Sequence, residues 1–95
     1  MIHVMASIIV KPEHAAAAKA MLVELAATSR GEAGCVGYAL YQRPDAAHVF
    51  QTVEQWNSQG DVDAHMTTPH VAAAIGAAMP MLASPLAVHA FEKIG

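Results

Sequence analysis

The opening of the chain constrains its fold most. Ile2, Val4, Ala6, Ile8 and Val10 alternate with His3, Met5, Ser7, Ile9 and Lys11. A period of two belongs to a strand, whose successive side chains point to opposite faces. The even face is wholly apolar; the odd face mixes apolar groups with a His and a Ser. Such a strand needs cover on both sides. The 95 residues allow one domain, spanning 1–95, with no room for a second. A chain of this size buries roughly 60–70% of the surface its unfolded form exposes. Yet 55% of its residues are hydrophobic, more than a small core can hide. A second subunit is the expected cover, because large exposed apolar patches mark interfaces.

The remaining pattern supplies the cover on one side. Lys11-Pro12-Glu13-His14 reads as a helix start, since Pro suits the first turn and Glu13 complements the dipole. The alanine-rich run to Ser29 favours helix, with Ala18, Met21, Leu22 and Leu25 as its buried stripe. Gly31 and Gly34 end it. Residues 35–43 read as a second strand, Pro44-Asp45-Ala46-Ala47 as a turn, and residues 48–56 as a third strand, making a hairpin. Asn57-Ser58 caps a short helix over 58–66, and Thr68-Pro69 opens another. That last helix carries Val71, Ile75, Ala78, Met79 and Leu82 at three- and four-residue spacings until Pro80 bends or ends it. Leu86 to Lys93 closes the chain as a strand. The order βαββααβ predicts a ferredoxin-like α+β sandwich with helices on one sheet face. The uncovered face then predicts a homodimer in which two sheets meet.

Charge narrows the partners. The net charge is −3 and the five Lys and Arg are scattered, so no basic stripe points to nucleic acid or an anionic membrane. The single Cys35 leaves no internal disulfide and fits a reducing compartment. A charged segment followed by a long apolar core is missing from the N-terminus, and no apolar run approaches the roughly 20 residues of a membrane span. A cytoplasmic protein is expected.

Candidate functional groups collect between Glu54-Gln55-Trp56 and Asp63-Ala64-His65-Met66-Thr67-Thr68-Pro69-His70, which hold the only Trp and two of six His. His70 falls at a helix start, a position that favours the neutral imidazole a general base needs; packing at the junction is its structural alternative. His65 precedes it by five residues. On one helix the two would point about 140° apart, but Pro69 breaks the path and lets both turn toward one pocket; tying the two helices through a hydrogen bond is the structural alternative for His65. Trp56 offers either a stacking wall for an aromatic substrate or a core anchor for the short helix. Glu54 shares its face and reads as a hairpin or interface partner of an Arg rather than a catalytic acid. Ser7, His3 and His89 come from the outer strands, where one of them could line a pocket. Tyr38 and Tyr41 have opposite parity, so at most one faces the helix side. Cys35 lacks a His neighbour in sequence that would make it a nucleophile. His14 and His48 read as exposed. Asp61, Asp63, His65 and His70 are of metal-ligand type, but their spacing matches no HExxH or Cys/His pattern, and no metal is expected.

Several short motifs, taken in order, resemble the antibiotic-biosynthesis monooxygenase superfamily of dimeric α+β barrels, especially its small quinol-monooxygenase-like members. They are Val10-Lys11-Pro12, Ser29-Arg30, Glu32-Ala33-Gly34-Cys35, Gly37-Tyr38, Tyr41, Glu54-Gln55-Trp56, Ala64-His65 and Thr68-Pro69-His70, covering nearly the whole chain. The resemblance implies a pocket between sheet and helices and oxygenation of a quinol or polyphenol without metal, haem or flavin. Related haem degraders carry a Trp at the position of His65 and an axial His at that of Ile75, departures that count against haem. The expected activity is therefore cofactor-independent oxidation of a small electron-rich aromatic by O2. His70 and His65 are the candidate bases, with Trp56, Ser7 and Tyr38 as substrate contacts. The alternatives are a ligand-binding dimer without catalysis and an isomerase of a small carbonyl compound. A shared fold does not choose among them.

Overall fold

The alternation at the N-terminus is realised as β1 (Ile2–Ile9), with Val4, Ala6 and Ile8 buried on one side. The computed structural model describes residues 1–95. After a 3-10 turn at Pro12–His14 come α1 (Ala15–Arg30), β2 (Cys35–Arg43), β3 (Ala46–Trp56), α2 (Gln59–Met66), α3 (Pro69–Ala78), a second 3-10 turn (Met79–Met81) and β4 (Ala87–Phe91). The four strands lie in the order β2-β3-β1-β4, with every neighbouring pair antiparallel. This is the ferredoxin-like arrangement predicted from the order of elements.

The core forms where the even face of β1 meets the helices. Ala6, Ile8, Val10 and Phe50 pack with Ala18 and Leu22 of α1. Val4, Ala26, Tyr38 and Trp56 make a second cluster toward the end of the sheet that carries α2. The odd face has no helix over it. His3, Met5, Ser7 and Ile9 lie there, paired across to Gln55, Val53, Gln51 and Val49 and, on the other flank, to Phe91, His89 and Ala87. Tyr41 and Phe91 on this face are 58% and 48% exposed.

Three local expectations need correction. Ala46 and Ala47 belong to β3, so the hairpin turn is only Pro44-Asp45, where Arg43 Nη2 and Nε grip the Asp45 carboxylate at 2.7 and 3.0 Å. Gly31 does end α1 as expected, at an ordinary φ of −79°. Pro80 ends α3 early enough that Met79 turns outward and is 60% exposed. His14 and His48 are half-buried, and His48 lies within β3.

Candidate functional site

Two capped helix starts place the histidines. Ser58 begins α2: its Oγ accepts from the Asp61 amide at 3.2 Å and donates to Asp61 Oδ2 at 2.9 Å. This reciprocal cap holds the first turn. Thr68 serves both neighbouring helices. Its Oγ1 donates to the His65 carbonyl at 2.7 Å, satisfying the end of α2, and accepts from the Val71 amide at 3.4 Å, capping α3. The chain therefore reverses between His65 and His70, and both imidazoles turn toward the loop that joins α1 to β2.

Glu32 waits in that loop. Its Oε2 lies 2.6 Å from His65 Nδ1 and 2.9 Å from His70 Nε2. A carboxylate accepts, so the ring nitrogens facing it carry hydrogens. For His65 this puts the proton on Nδ1 and leaves Nε2 with its lone pair, the tautomer set by the partner of the other nitrogen. His65 is 4% exposed. Its Nε2 finds no partner in the chain, although the residue lines a cavity.

These three residues also form the one cluster of metal-ligand type, with ligand atoms within 4.8 Å of one another. In this structure Glu32 Oε2 bridges the two rings by hydrogen bonds. Asp61 and Asp63 lie outside the cluster, engaged by Ser58 and by Gln59 Nε2 respectively.

The cavity opens between the sheet and the helices. β1 contributes Val4, Ala6 and Ile8, α1 contributes Leu22 and Leu25, and α3 contributes Val71, Ala74, Ile75 and Ala78; fourteen of the seventeen lining residues are hydrophobic. The polar exceptions, Thr52, Glu54 and His65, share it with the phenol of Tyr38. Tyr38 faces Glu54 directly across β2 and β3. Burial first, and then the Glu54 carboxylate, pushes the Tyr38 phenol well above its ordinary value. The Cys35 thiol is pushed up by burial and by Glu32, which makes it a poor nucleophile.

Glu54 itself is 3% exposed and bonds to no arginine of its own hairpin, contrary to that expectation. Thr52 Oγ1 donates to its Oε2 at 2.7 Å, Trp56 Nε1 donates to its Oε1 at 3.0 Å, and Thr52 in turn accepts from the Ala6 amide at 3.0 Å. Arg30 donates instead to the Tyr38 carbonyl at 2.9 Å.

Of the residues singled out from sequence, His65, Tyr38 and Glu54 line the cavity. Trp56 is 1% exposed and lies beneath it, its ring 4.4 Å from that of His65, so it anchors His65 rather than forming a cavity wall. His70 lines a separate groove between α1 and α3 with Glu24 and Thr28. Ser7, with His3 and His89, lies on the helix-free sheet face, away from the cavity. Sequence reasoning gave no role to Glu32 or Thr52. Glu32 is 33 residues from His65 and has no spacing that ties it there. Thr52 shares strand parity with Glu54 and Trp56, a signal that was available.

The model of the antibiotic biosynthesis monooxygenase family matches residues 1–77. Among solved structures, one titled as an antibiotic biosynthesis monooxygenase covers 100% of both chains at 22% identity with a TM-score of 0.94, a likeness of fold alone. A Pseudomonas aeruginosa protein matches at 29% identity and TM-score 0.90, covering 99% of this chain and 94% of its own. A Mycobacterium tuberculosis protein matches at 26% identity and TM-score 0.91, covering 99% and 95%. Among curated proteins none matches.

Proposed function

Because the chain belongs to the antibiotic biosynthesis monooxygenase family, we propose that it oxygenates a small dihydroxyaromatic with O2, using His65 as the base. The observation that carries this reading is an imidazole fixed by Glu32 through Nδ1, whose Nε2 is unpartnered at an apolar cavity. A substrate hydroxyl placed at Nε2 gives up its proton there, and the resulting anion is electron-rich enough to pass an electron to O2. The two radicals join at a ring carbon as a peroxide. Protonation by the imidazolium, loss of the ring C–H proton and cleavage of the O–O bond release water and leave a carbonyl.

The balance is one dihydroxyarene plus one O2 giving one hydroxyquinone plus one water. The substrate supplies all four electrons, so the balance closes without haem, flavin or metal. Protein groups contribute orientation, exclusion of water and the placed base, and a general base typically supplies about 10²–10⁴-fold. Glu32 holds the productive tautomer. His70, bonded to the same carboxylate oxygen, steadies Glu32 from the groove side.

A homodimer through the helix-free sheet faces belongs to this reading, since Tyr41, Phe91, Met5 and Val53 otherwise leave apolar surface in water. The test is oxygen uptake with a panel of dihydroxyaromatics, after dialysis against a strong chelator. Uptake with a labelled oxygen atom in the product is expected. Activity lost with the chelator and restored by one metal would overturn the cofactor-free reading. Proton exchange on a carbonyl substrate without oxygen uptake would favour an isomerase instead.

A further inference from the structure

We propose that Glu32, His65 and His70 form a binding site for a divalent transition-metal ion of the zinc class, and that its occupancy switches off the base of the cavity. The binding claim stands on the cluster alone; the switch rests on the reading of His65 as the base.

Three elements bring the donors together: the loop after α1, the last turn of α2 and the first turn of α3. Glu32 Oε2, His65 Nδ1 and His70 Nε2 lie within 4.8 Å of one another. Two imidazoles and one carboxylate are a donor set that zinc accepts at about 2.0–2.2 Å, leaving a fourth position to water. Ca2+ and Mg2+ call for oxygen donors, and only one of these three atoms is oxygen. The pairing of the carboxylate is a second pointer. No lysine or arginine forms a salt bridge with Glu32, whose partners are the two rings. Buried carboxylates are paired with a fixed cation or coordinate a metal. This one meets only imidazoles.

The side chains of His70 and Glu32 stay 27% and 17% exposed, so an ion can enter from the groove between α1 and α3, where Glu24 adds an acidic group. As hydrogen-bonded, Oε2 stands 2.6 and 2.9 Å from the two ring nitrogens. Coordination replaces the two bridging hydrogens by one ion, and Oε2 draws back to make room. Glu32 lies in a loop, outside helix and strand, so its shift is the least costly of the three.

The consequence falls on His65. An ion at Nδ1 takes that lone pair, so the ring hydrogen moves to Nε2. Nε2 then donates and has no lone pair left for a substrate proton. Buried against Trp56, the ring stays in that tautomer while the ion is bound.

The binding test needs no substrate. Protein stripped by a chelator, then freed of it, is titrated calorimetrically with ZnCl2 and with MgCl2, and Co2+ replaces zinc for a visible spectrum. Wild type should bind one Zn2+ per chain and Mg2+ far more weakly. Glu32→Gln, which keeps the shape of the side chain, and His70→Ala should each weaken zinc by at least the roughly 10–100-fold that losing a supporting hydrogen bond costs a metal site. His14→Ala, outside the cluster, should bind like wild type. No zinc binding, equal binding of Mg2+, unchanged affinity in either folded variant, or a sulfur-to-cobalt absorption band from Cys35 overturns the site. Should one variant fail to fold, the other and the cobalt spectrum decide. Oxygen uptake then reads the switch: in wild type it should fall in step with zinc occupancy and return with chelator. Uptake that persists with the site filled overturns the switch. Zinc held by the cluster in a protein inert to oxygen would sink the function and leave the site standing; an active oxygenase that binds no zinc would do the reverse.

Discussion

At the scale of single residues, one carboxylate oxygen divides the labour between two histidines. Glu32 Oε2 accepts from both, yet only His65 lines the cavity, while His70 lines the groove between α1 and α3. Burial acts on Tyr38 as well, whose phenol is held above its ordinary value of 10.0. The sign follows from linkage. The folded protein keeps Tyr38 neutral while the unfolded chain ionises it, so its contribution is fully present below pH 10 and is lost as pH rises past that value. Denaturation midpoints followed into the alkaline range should fall more steeply for wild type than for Tyr38→Phe. Parallel pH profiles would show that Tyr38 ionises as easily in the fold as outside it.

At the scale of elements, α1 carries the clearest flaw in packing. Ser29 is fully buried, and its Oγ is the one enclosed side-chain polar atom without a hydrogen-bond partner. An unmet buried hydroxyl costs about 1–3 kcal/mol, so Ser29→Ala should stabilise by about 1 kcal/mol, roughly 4–8 °C in Tm for a domain of this size. A lower Tm would mean that the hydroxyl has a partner. Most elements were legible because their signals are local. The period of two at residues 2–9, the Ser58 and Thr68 caps and the prolines that open or close helices each act within one turn of chain. Where the chain folds back on itself the sequence was silent. Glu32 meets His65 and His70 only because the loop after α1 comes to rest beside the α2–α3 junction. Glu54 was assigned an arginine on charge alone, whereas strand parity already placed two neutral donors, Thr52 and Trp56, on its own face. His70 was a candidate base because of its helix start, yet it lines the groove between α1 and α3 and not the cavity.

At the scale of the whole molecule, the helices cover one face of the sheet and leave the other bare. Met5 and Val53 pair on that bare face, between exposed Tyr41 and Phe91. Light scattering at micromolar concentration should report about twice the 9.9 kDa of one chain. Val53→Arg, which places a charge in the centre of the face, should shift the mass to that of one chain. A wild-type protein that stays soluble at 9.9 kDa would contradict the paired sheets. No helix is long and apolar enough to cross a membrane. The central claim is that an oxygenase reaction runs on His65 with Glu32 behind it. The most direct test compares initial rates of oxygen uptake on one dihydroxyaromatic substrate for wild type, His65→Ala and His70→Ala, each confirmed folded. Loss of the base should lower the His65→Ala rate by about 10²–10⁴-fold, while His70→Ala keeps most of the activity. A His65→Ala protein that turns over like wild type, or a collapse confined to His70→Ala, would contradict the account.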